Sequence, residues 1–296
     1  MIRLLTSLLL FLLAACLSGQ TVIDLKRGGG VRAKTVDDYR RDDSDMSRRV
    51  REDSIAYNDC LTRAFNALYR DSLDQAEELL NNALSLRPAA PSNYIVRHYL
   101  ARISMARGRY ADAVQRLTAL LRERPEDREV RSERASCYIE SSNPQAALED
   151  CNVLLVSPPT EAEHTHALFL RIAAYHLLRE TDKALADVQT ILQLDPANKS
   201  ATLLQATLLA EKGQTAEAMN RYNLYVSAHR DDADGYAARA ELEVKQEMWQ
   251  AARADYDEAL RIRPADPALL LARANVLERL GLKTLAKRDR EAAKCK

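Results

Sequence analysis

The chain has 296 residues, 47% of them hydrophobic, and its 43 Lys and Arg residues balance its 43 Asp and Glu residues, so the formal net charge is zero. This apolar fraction excludes a wholly disordered chain, and the balanced charge gives no support for nucleic acid as a partner, because nucleic-acid binders carry a basic excess. Glycine and proline are scarce, with eight and nine residues, which favours a mostly helical protein.

Residues 1–19 are expected to be a signal peptide. Arg3 precedes an apolar run from Leu4 to Ala15, which is too short to span a bilayer and has the length of a signal-peptide core. Residues 13–16, Leu-Ala-Ala-Cys, resemble a bacterial lipobox, in which Cys16 would carry the lipid. Ordinary cleavage near residues 18–20 is the alternative. Both interpretations predict export to the periplasm or the outer membrane, with membrane attachment only through Cys16.

Residues 20–46 are expected to form a charged, flexible spacer. Three glycines at 28–30 interrupt any regular element, and residues 37–43 mix both signs of charge densely. Such a segment buries too little apolar surface to offset the entropy lost on ordering. A recognition tail is the alternative interpretation. The pattern becomes helical near Ser47, so the folded region is predicted to cover residues 47–296.

One alanine recurs through the folded region, with successive spacings of 37, 34, 37, 34, 34 and 34 residues. Its seven occurrences are Ala76, Ala113, Ala147, Ala184, Ala218, Ala252 and Ala286. In five of these units a proline follows the alanine after twelve residues, at Pro88, Pro125, Pro159, Pro196 and Pro264. A unit of this length is a helix pair that cannot bury its own apolar face, so stacking against neighbouring units must bury it.

The pattern resembles the tetratricopeptide repeat (TPR), which places small residues where its two helices touch, a glycine at the turn and a proline at the end. The resemblance implies an all-α fold, a right-handed TPR solenoid of about seven helix-turn-helix repeats. The units lie near 57–90, 94–127, 128–161, 165–198, 199–232, 233–266 and 267–296. The turn glycine is present as Gly108, Gly213 and Gly281, whereas Ser142 and Glu247 take that place in two other units. The unit of Ala184 departs from the pattern, with Ile172 in the small first-helix position.

The resemblance further implies a protein-protein interaction scaffold or adaptor in the bacterial cell envelope. First helices of the family line a concave groove that takes up peptides or partner helices, and a chaperone-like assembly subunit with broad peptide binding is the alternative. Carried over by register, the groove residues are Phe65, Tyr69, His98, Arg102, Met105, His166, Phe169, His176, Glu241, Lys245 and Asn275. The N-terminal part of this set is aromatic and apolar, and the C-terminal part is more charged.

The sequence predicts no enzyme activity, no cofactor and no metal site. It contains no Gly-rich phosphate loop, no G-x-S-x-G elbow and no H-E-x-x-H motif. His166 and His176 are separated by roughly 15 Å along a helix, too far to bind one ion together. Cys137 and Cys151 fall on successive helices of one unit, where they could pair or serve as small core residues.

Overall fold

The computed structural model describes residues 45–294, with side chains from residue 51 onward. The predicted signal peptide, Cys16 and the spacer up to residue 44 lie outside the described residues. Within residues 45–294 every regular element is an α-helix, and there are fourteen of them. They are α1 (Asp45–Tyr69), α2 (Leu73–Leu86), α3 (Asn93–Ala106), α4 (Tyr110–Glu123), α5 (Arg128–Glu140), α6 (Pro144–Val156), α7 (Glu161–Leu177), α8 (Thr181–Leu194), α9 (Lys199–Glu211), α10 (Thr215–Ala228), α11 (Ala233–Lys245), α12 (Trp249–Ile262), α13 (Pro267–Arg279) and α14 (Lys283–Lys294).

Along the chain the helices alternate: each odd-numbered helix is the first helix of a repeat and the following even-numbered helix is the second, which gives seven repeats within residues 45–294. The chain divides into two compact units, one ending at Leu177 and the other beginning at Leu178. Helices α1–α7 belong to the N-terminal unit and α8–α14 to the C-terminal unit. The predicted all-α fold with about seven repeats is confirmed, and the first described helix begins at Asp45.

The recurring alanines lie in the core of each repeat. All seven have no exposed surface, and the small first-helix residues show the same complete burial at Ala64, Ala101, Ala135, Ala206, Ala240 and Ala274. Ile172, the larger residue in that slot, is buried equally completely. A methyl side chain lets two helix backbones approach closely, and larger side chains fill the remaining space. Among them are Leu80 and Leu117, both fully buried, and each such leucine contributes about 1.5–3 kcal/mol by leaving water.

Cys137 and Cys151 are buried thiols in the structure. Burial raises the pKa of Cys137 to about 12, and the nearby Glu133 and Glu140 act in the same direction. A thiol that is protonated at neutral pH is a poor nucleophile. Cys137 therefore behaves as a small core residue of the N-terminal unit.

Each of the seven turns within a repeat contains one residue in the left-handed region, five positions before the core alanine. Glycine takes this place at Gly108, Gly213 and Gly281, with φ between +69° and +83°. The other four turns hold Asp71, Ser142, Arg179 and Glu247, with φ between +57° and +59°. In six turns the next backbone N–H donates back to the carbonyl five residues earlier, for example from Arg109 to Ser104 at 2.8 Å. This bond satisfies a carbonyl that the end of the helix leaves without a partner.

An arginine on the first helix joins the two helices of three repeats through a buried aspartate. Arg134 donates to both oxygens of Asp150 at 2.8 and 2.7 Å. Its remaining nitrogen donates to Thr118 on the preceding second helix at 3.2 Å. Arg239 and Arg273 repeat this arrangement in the C-terminal unit, with Asp255 and Asp289 as acceptors. The bonds fix the register of the first helix against two second helices, because a bidentate pair tolerates little displacement.

Candidate protein-binding groove

Aromatic side chains form the N-terminal end of the predicted groove. Phe65 on α1 meets Tyr99 on α3 edge to face, with ring centroids 5.0 Å apart and an interplanar angle of 73°. Tyr69, at the end of α1, is 83% exposed. Met105 on α3 is half-buried and packs against the core shared by α3, α4 and α5. The structure therefore brings three of the predicted groove residues to neighbouring first helices, and Tyr69 offers the most surface.

His98 and Arg102 on α3 already have partners on the next first helix, α5. The Glu133 carboxylate lies 2.6 Å from His98 Nε2 and accepts a bond of 2.6 Å from Arg102 Nε. Arg102 also donates to Glu129 at 2.5 Å. The Glu133 side chain is only 12% exposed. These contacts orient two predicted groove residues and leave little unpaired charge at this point of the N-terminal unit.

Three further predicted groove residues lie on α7. Phe169 is buried, 7% exposed, so it supports the helix more than it offers surface. His166 is half-buried, and burial lowers its pKa below the ordinary 6.5 although Glu163 acts in the opposite direction. The imidazole of His166 is therefore neutral at pH 7. His176 is half-buried in the last turn of the same helix.

The C-terminal unit contains the remaining predicted groove residues. Glu241 on α11 is half-buried, Lys245 one turn later is exposed, and Asn275 on α13 is exposed. The side-chain oxygen of Asn275 accepts a bond from Arg290 at 3.3 Å. Burial raises the pKa of the Glu241 carboxyl, and the positive charge of Lys245 opposes that effect. This surface therefore carries ionisable groups, whereas the end formed by Phe65 is aromatic.

Sequence reasoning missed the partners of the groove residues. Tyr99, Glu129 and Glu133 contact residues that lie 27 to 35 positions earlier or later in the chain. In the sequence, Phe65 and Tyr99 are separated by about one repeat, and so are His98 and Glu133. A comparison of complementary side chains one repeat apart could therefore have found these contacts. Within the side chains described, no three His, Cys, Asp or Glu residues come together in a group that could hold a metal ion.

Comparison with known proteins identifies the repeat. Residues 67–137 and 104–155 match a family model described as tetratricopeptide repeat. A crystallised tetratricopeptide repeat protein from Parabacteroides merdae is 26% identical and superimposes with a TM-score of 0.70, over 81% of this chain and 92% of that chain. The fold is a tetratricopeptide-repeat fold. Pseudomonas aeruginosa PilF shares it at 15% identity, with a TM-score of 0.55 over 77% of this chain and 99% of that chain.

One curated relative is the human mitochondrial import receptor subunit TOM70, 25% identical over 138 residues. The match covers 44% of this chain and 22% of that protein, so the chain spans about a fifth of this relative.

Among residues 45–294, none of the TPR helices combines the length and the apolar character that crossing a membrane requires. TPR arrays present an extended surface formed by stacked helices, and such surfaces bind other proteins. The repeat fold therefore supports a role as a protein-interaction scaffold.

Proposed function

We propose that this chain is an exported adaptor that holds partner proteins in the bacterial cell envelope, through a peptide or helix bound along its first helices. The observation that carries the proposal is the exposed Tyr69 beside the ordered Phe65–Tyr99 pair. Aromatic side chains supply much of the contact energy in protein interfaces, and a ring that is already held in place loses little freedom on binding. A large exposed ring next to such a pair suits an apolar side chain of a partner.

The envelope location rests on the N-terminal sequence. Residues 4–15 have the length of a signal-peptide core, and residues 13–16 resemble a lipobox. A lipid at Cys16 would tether the repeats through the 28 residues that separate it from Asp45. Radiolabelled palmitate should enter the wild-type chain and be absent from Cys16→Ala. Label in both chains, or in neither, would contradict the anchor, and fractionation of the unlabelled chain would then distinguish a periplasmic from a cytoplasmic protein.

Crosslinking mass spectrometry on intact cells tests location and partner together. The adaptor proposal predicts a small set of envelope proteins linked in constant ratio to lysines near the groove, with Lys245 as the principal site on α11. Crosslinks only to cytoplasmic proteins would contradict the envelope location. A saturating excess of one partner should remove the crosslinks to that partner's competitors.

A chaperone-like assembly subunit is the second candidate, and the exposed aromatic end of the groove favours it. Apolar surface of this kind binds many unfolded segments with little sequence preference. Light scattering of a heat-denatured model client distinguishes the two functions. Suppression of aggregation at equimolar chain, lost in Tyr69→Ala, supports the chaperone, whereas one stoichiometric partner and no suppression support the adaptor.

A further inference from the structure

Trp249, the only tryptophan of the chain, lies under an arginine in the C-terminal unit. The guanidinium carbon of Arg279, at the end of α13, is 5.5 Å from the centroid of the Trp249 ring, at the start of α12. Trp249 is half-buried and packs against the core that contains Ala252 and Val276. A cation–π contact with a ring anchored in this way restricts where the guanidinium lies. Arg279 therefore presents its charge in a defined position.

The charge of Arg279 is not compensated by a contact within the described part of the chain. Arg279 is exposed, and no described side chain forms a hydrogen bond or an ion pair with it. The neighbouring carboxylate of Glu278 is paired with Arg290 instead. Glu247, in the turn before α12, is exposed and makes no ion pair with any described residue. The guanidinium has five N–H donors, and those of Arg279 are available to a partner.

Arg239 shows how the same unit binds the donors of an arginine that lies over an aromatic ring. Its guanidinium carbon is 5.9 Å from the centroid of Tyr236, and Asp255 accepts bonds of 2.6 and 2.7 Å from it. Among the described residues Arg279 has the ring but no carboxylate. A carboxylate supplied by another molecule would complete the same arrangement at Arg279.

Exposed apolar side chains accompany Arg279. Met248, directly before Trp249, is 47% exposed, and its backbone N–H donates to the carbonyl of Glu243 at 2.8 Å. Leu271 is 46% exposed and lies two turns before Arg279 on one side of α13, with the predicted groove residue Asn275 between them. Tryptophan, arginine and methionine are the residue types that protein interfaces favour at their centre. The surface is therefore continuous with the predicted groove and has the composition of an interface.

We propose that Arg279, with Trp249 and Met248 beside it, binds an aspartate or glutamate side chain of the partner peptide. The proposal rests on the proposed function and adds its partner chemistry: an acidic residue at the C-terminal unit. The carboxylate would accept two parallel hydrogen bonds from the guanidinium, a geometry that arginine offers and lysine does not. Apolar carbons of the same peptide would contact the Trp249 ring and the flexible Met248 side chain. Charge complementarity of this kind sets the orientation of a ligand.

Selection from a phage-displayed library of random 12-residue peptides without tryptophan tests the proposal on the full chain. Four proteins are compared: wild type, Arg279→Gln, Arg279→Glu and the control Arg288→Gln, which removes the same charge from an exposed position on α14. Peptides selected on wild type and on Arg288→Gln should be enriched in Asp and Glu. This enrichment should fall roughly threefold or more on Arg279→Gln, and Lys and Arg should replace the acidic residues on Arg279→Glu.

The fluorescence of Trp249 then shows where a selected peptide binds, because no other tryptophan contributes to the emission. Addition of the peptide should shift or quench this emission in wild type, in step with binding measured by calorimetry. Replacing the acidic residue of the peptide by its amide should weaken binding to wild type about tenfold. The same replacement should change binding to Arg279→Gln little. The comparison of the two peptides on wild type needs no protein variant, so it does not depend on how a variant folds.

Three results would overturn the inference while leaving the adaptor proposal standing. They are selected peptides without acidic residues, an acidic preference that survives in Arg279→Gln, and binding by calorimetry that leaves the Trp249 emission unchanged. Enrichment of no peptide by any of the four proteins would contradict both the inference and the adaptor proposal.

Discussion

Arg239 and Asp255 lie sixteen residues apart in sequence and are joined by two hydrogen bonds of 2.6 and 2.7 Å between the helices of one repeat. A third bond, of 2.8 Å, connects Arg239 to Asn223 on the preceding second helix. The aspartate is buried, and the arginine is largely covered. This one side chain therefore ties together three helices of the C-terminal unit.

Replacing Asp255 should lower the free energy of unfolding. In Asp255→Ala the covered guanidinium loses its carboxylate, and breaking a buried pair in this way lowers stability by about 3 kcal/mol. The double variant Arg239→Met, Asp255→Leu should recover most of the loss, because no charge is then left unpaired. Glu258→Ala, which removes the exposed partner of Arg261, is the control and should cost less than ~0.5 kcal/mol. Urea unfolding followed by circular dichroism gives the free energy of unfolding of all three variants. Equal losses in Asp255→Ala and Glu258→Ala would contradict a larger contribution from the buried pair.

Substitutions of the left-handed turn residues should raise the stability of the chain at one position and lower it at another. Glu247→Gly should stabilise the chain by about 1 kcal/mol, because glycine adopts φ near +58° without steric cost. Gly213→Ala should lose a similar amount, ~1 kcal/mol, at φ +83°. The open space around Gly213 leaves only backbone strain to explain a loss. Thermal melts of both variants check the pair, and a neutral Gly213→Ala would contradict the strain explanation.

The sequence predicted the repeat far better than the contacts between repeats. Burial of the core alanines follows from a register that can be read directly, and the structure confirms it at Ala76 and the other six positions. Ser142 and Glu247 also occupy the turn positions that the sequence assigned to them, whereas Asp71 and Arg179 were not identified there. The residue type alone does not predict a positive φ at Asp71 or Arg179, because the surrounding turn imposes that conformation.

The arginine–aspartate pairs and the contacts between groove residues could not be predicted from the pattern within a single repeat. Arg134 and Asp150 are on different helices, so local periodicity does not connect them. His98 and Glu133 are on different repeats, and only the stacking geometry brings them within 2.6 Å. The binding role of the eleven predicted groove residues stays a prediction.

Charged substitutions of the core alanines test the packing. Ala218 is completely buried, so Ala218→Glu places both extra volume and a charge between helices and should cost at least ~3 kcal/mol. Ala147→Glu should have the same effect in the N-terminal unit. Ala216→Glu, two residues away on an exposed face, should leave the melt unchanged. Full cooperative melts in both buried variants would refute the proposed helix packing.

Stability should fall as the pH rises from about 4.5 to about 7 because of Glu243. Burial, with the nearby Asp255, raises the pKa of this carboxyl from 4.5 to about 7, although Arg239 opposes the shift. One of its oxygens has no hydrogen-bond partner. The unfolded carboxyl ionises first, so protonation favours the folded state below about pH 4.5, and this advantage is lost as the pH passes through the folded pKa. The loss should total about 3 kcal/mol and stay constant at higher pH.

Glu243→Gln isolates that effect, because glutamine remains neutral at every pH. The variant should be more stable than the wild type at pH 8, and most of the downward slope between pH 4.5 and 7 should disappear. The remainder should come from carboxyls such as Glu241, whose pKa burial also raises. Glu217→Gln serves as the control, since its exposed side chain should leave the slope unchanged. Parallel pH profiles for the wild type and Glu243→Gln, measured by urea unfolding, would mean that another group causes any pH dependence.

Site-specific photocrosslinking tests the central claim, that partners bind along the first helices. A benzoylphenylalanine at Tyr69 is compared with one at Val156, which is 84% exposed at the end of a second helix, α6. The two positions are about equally exposed, so a difference in crosslinking shows which helices the partner contacts. In living cells the probe at position 69 should form a discrete, saturable adduct with an envelope protein, and the probe at position 156 should form none. Equal adducts at both positions, or an adduct only at position 156, would contradict binding along the first-helix face.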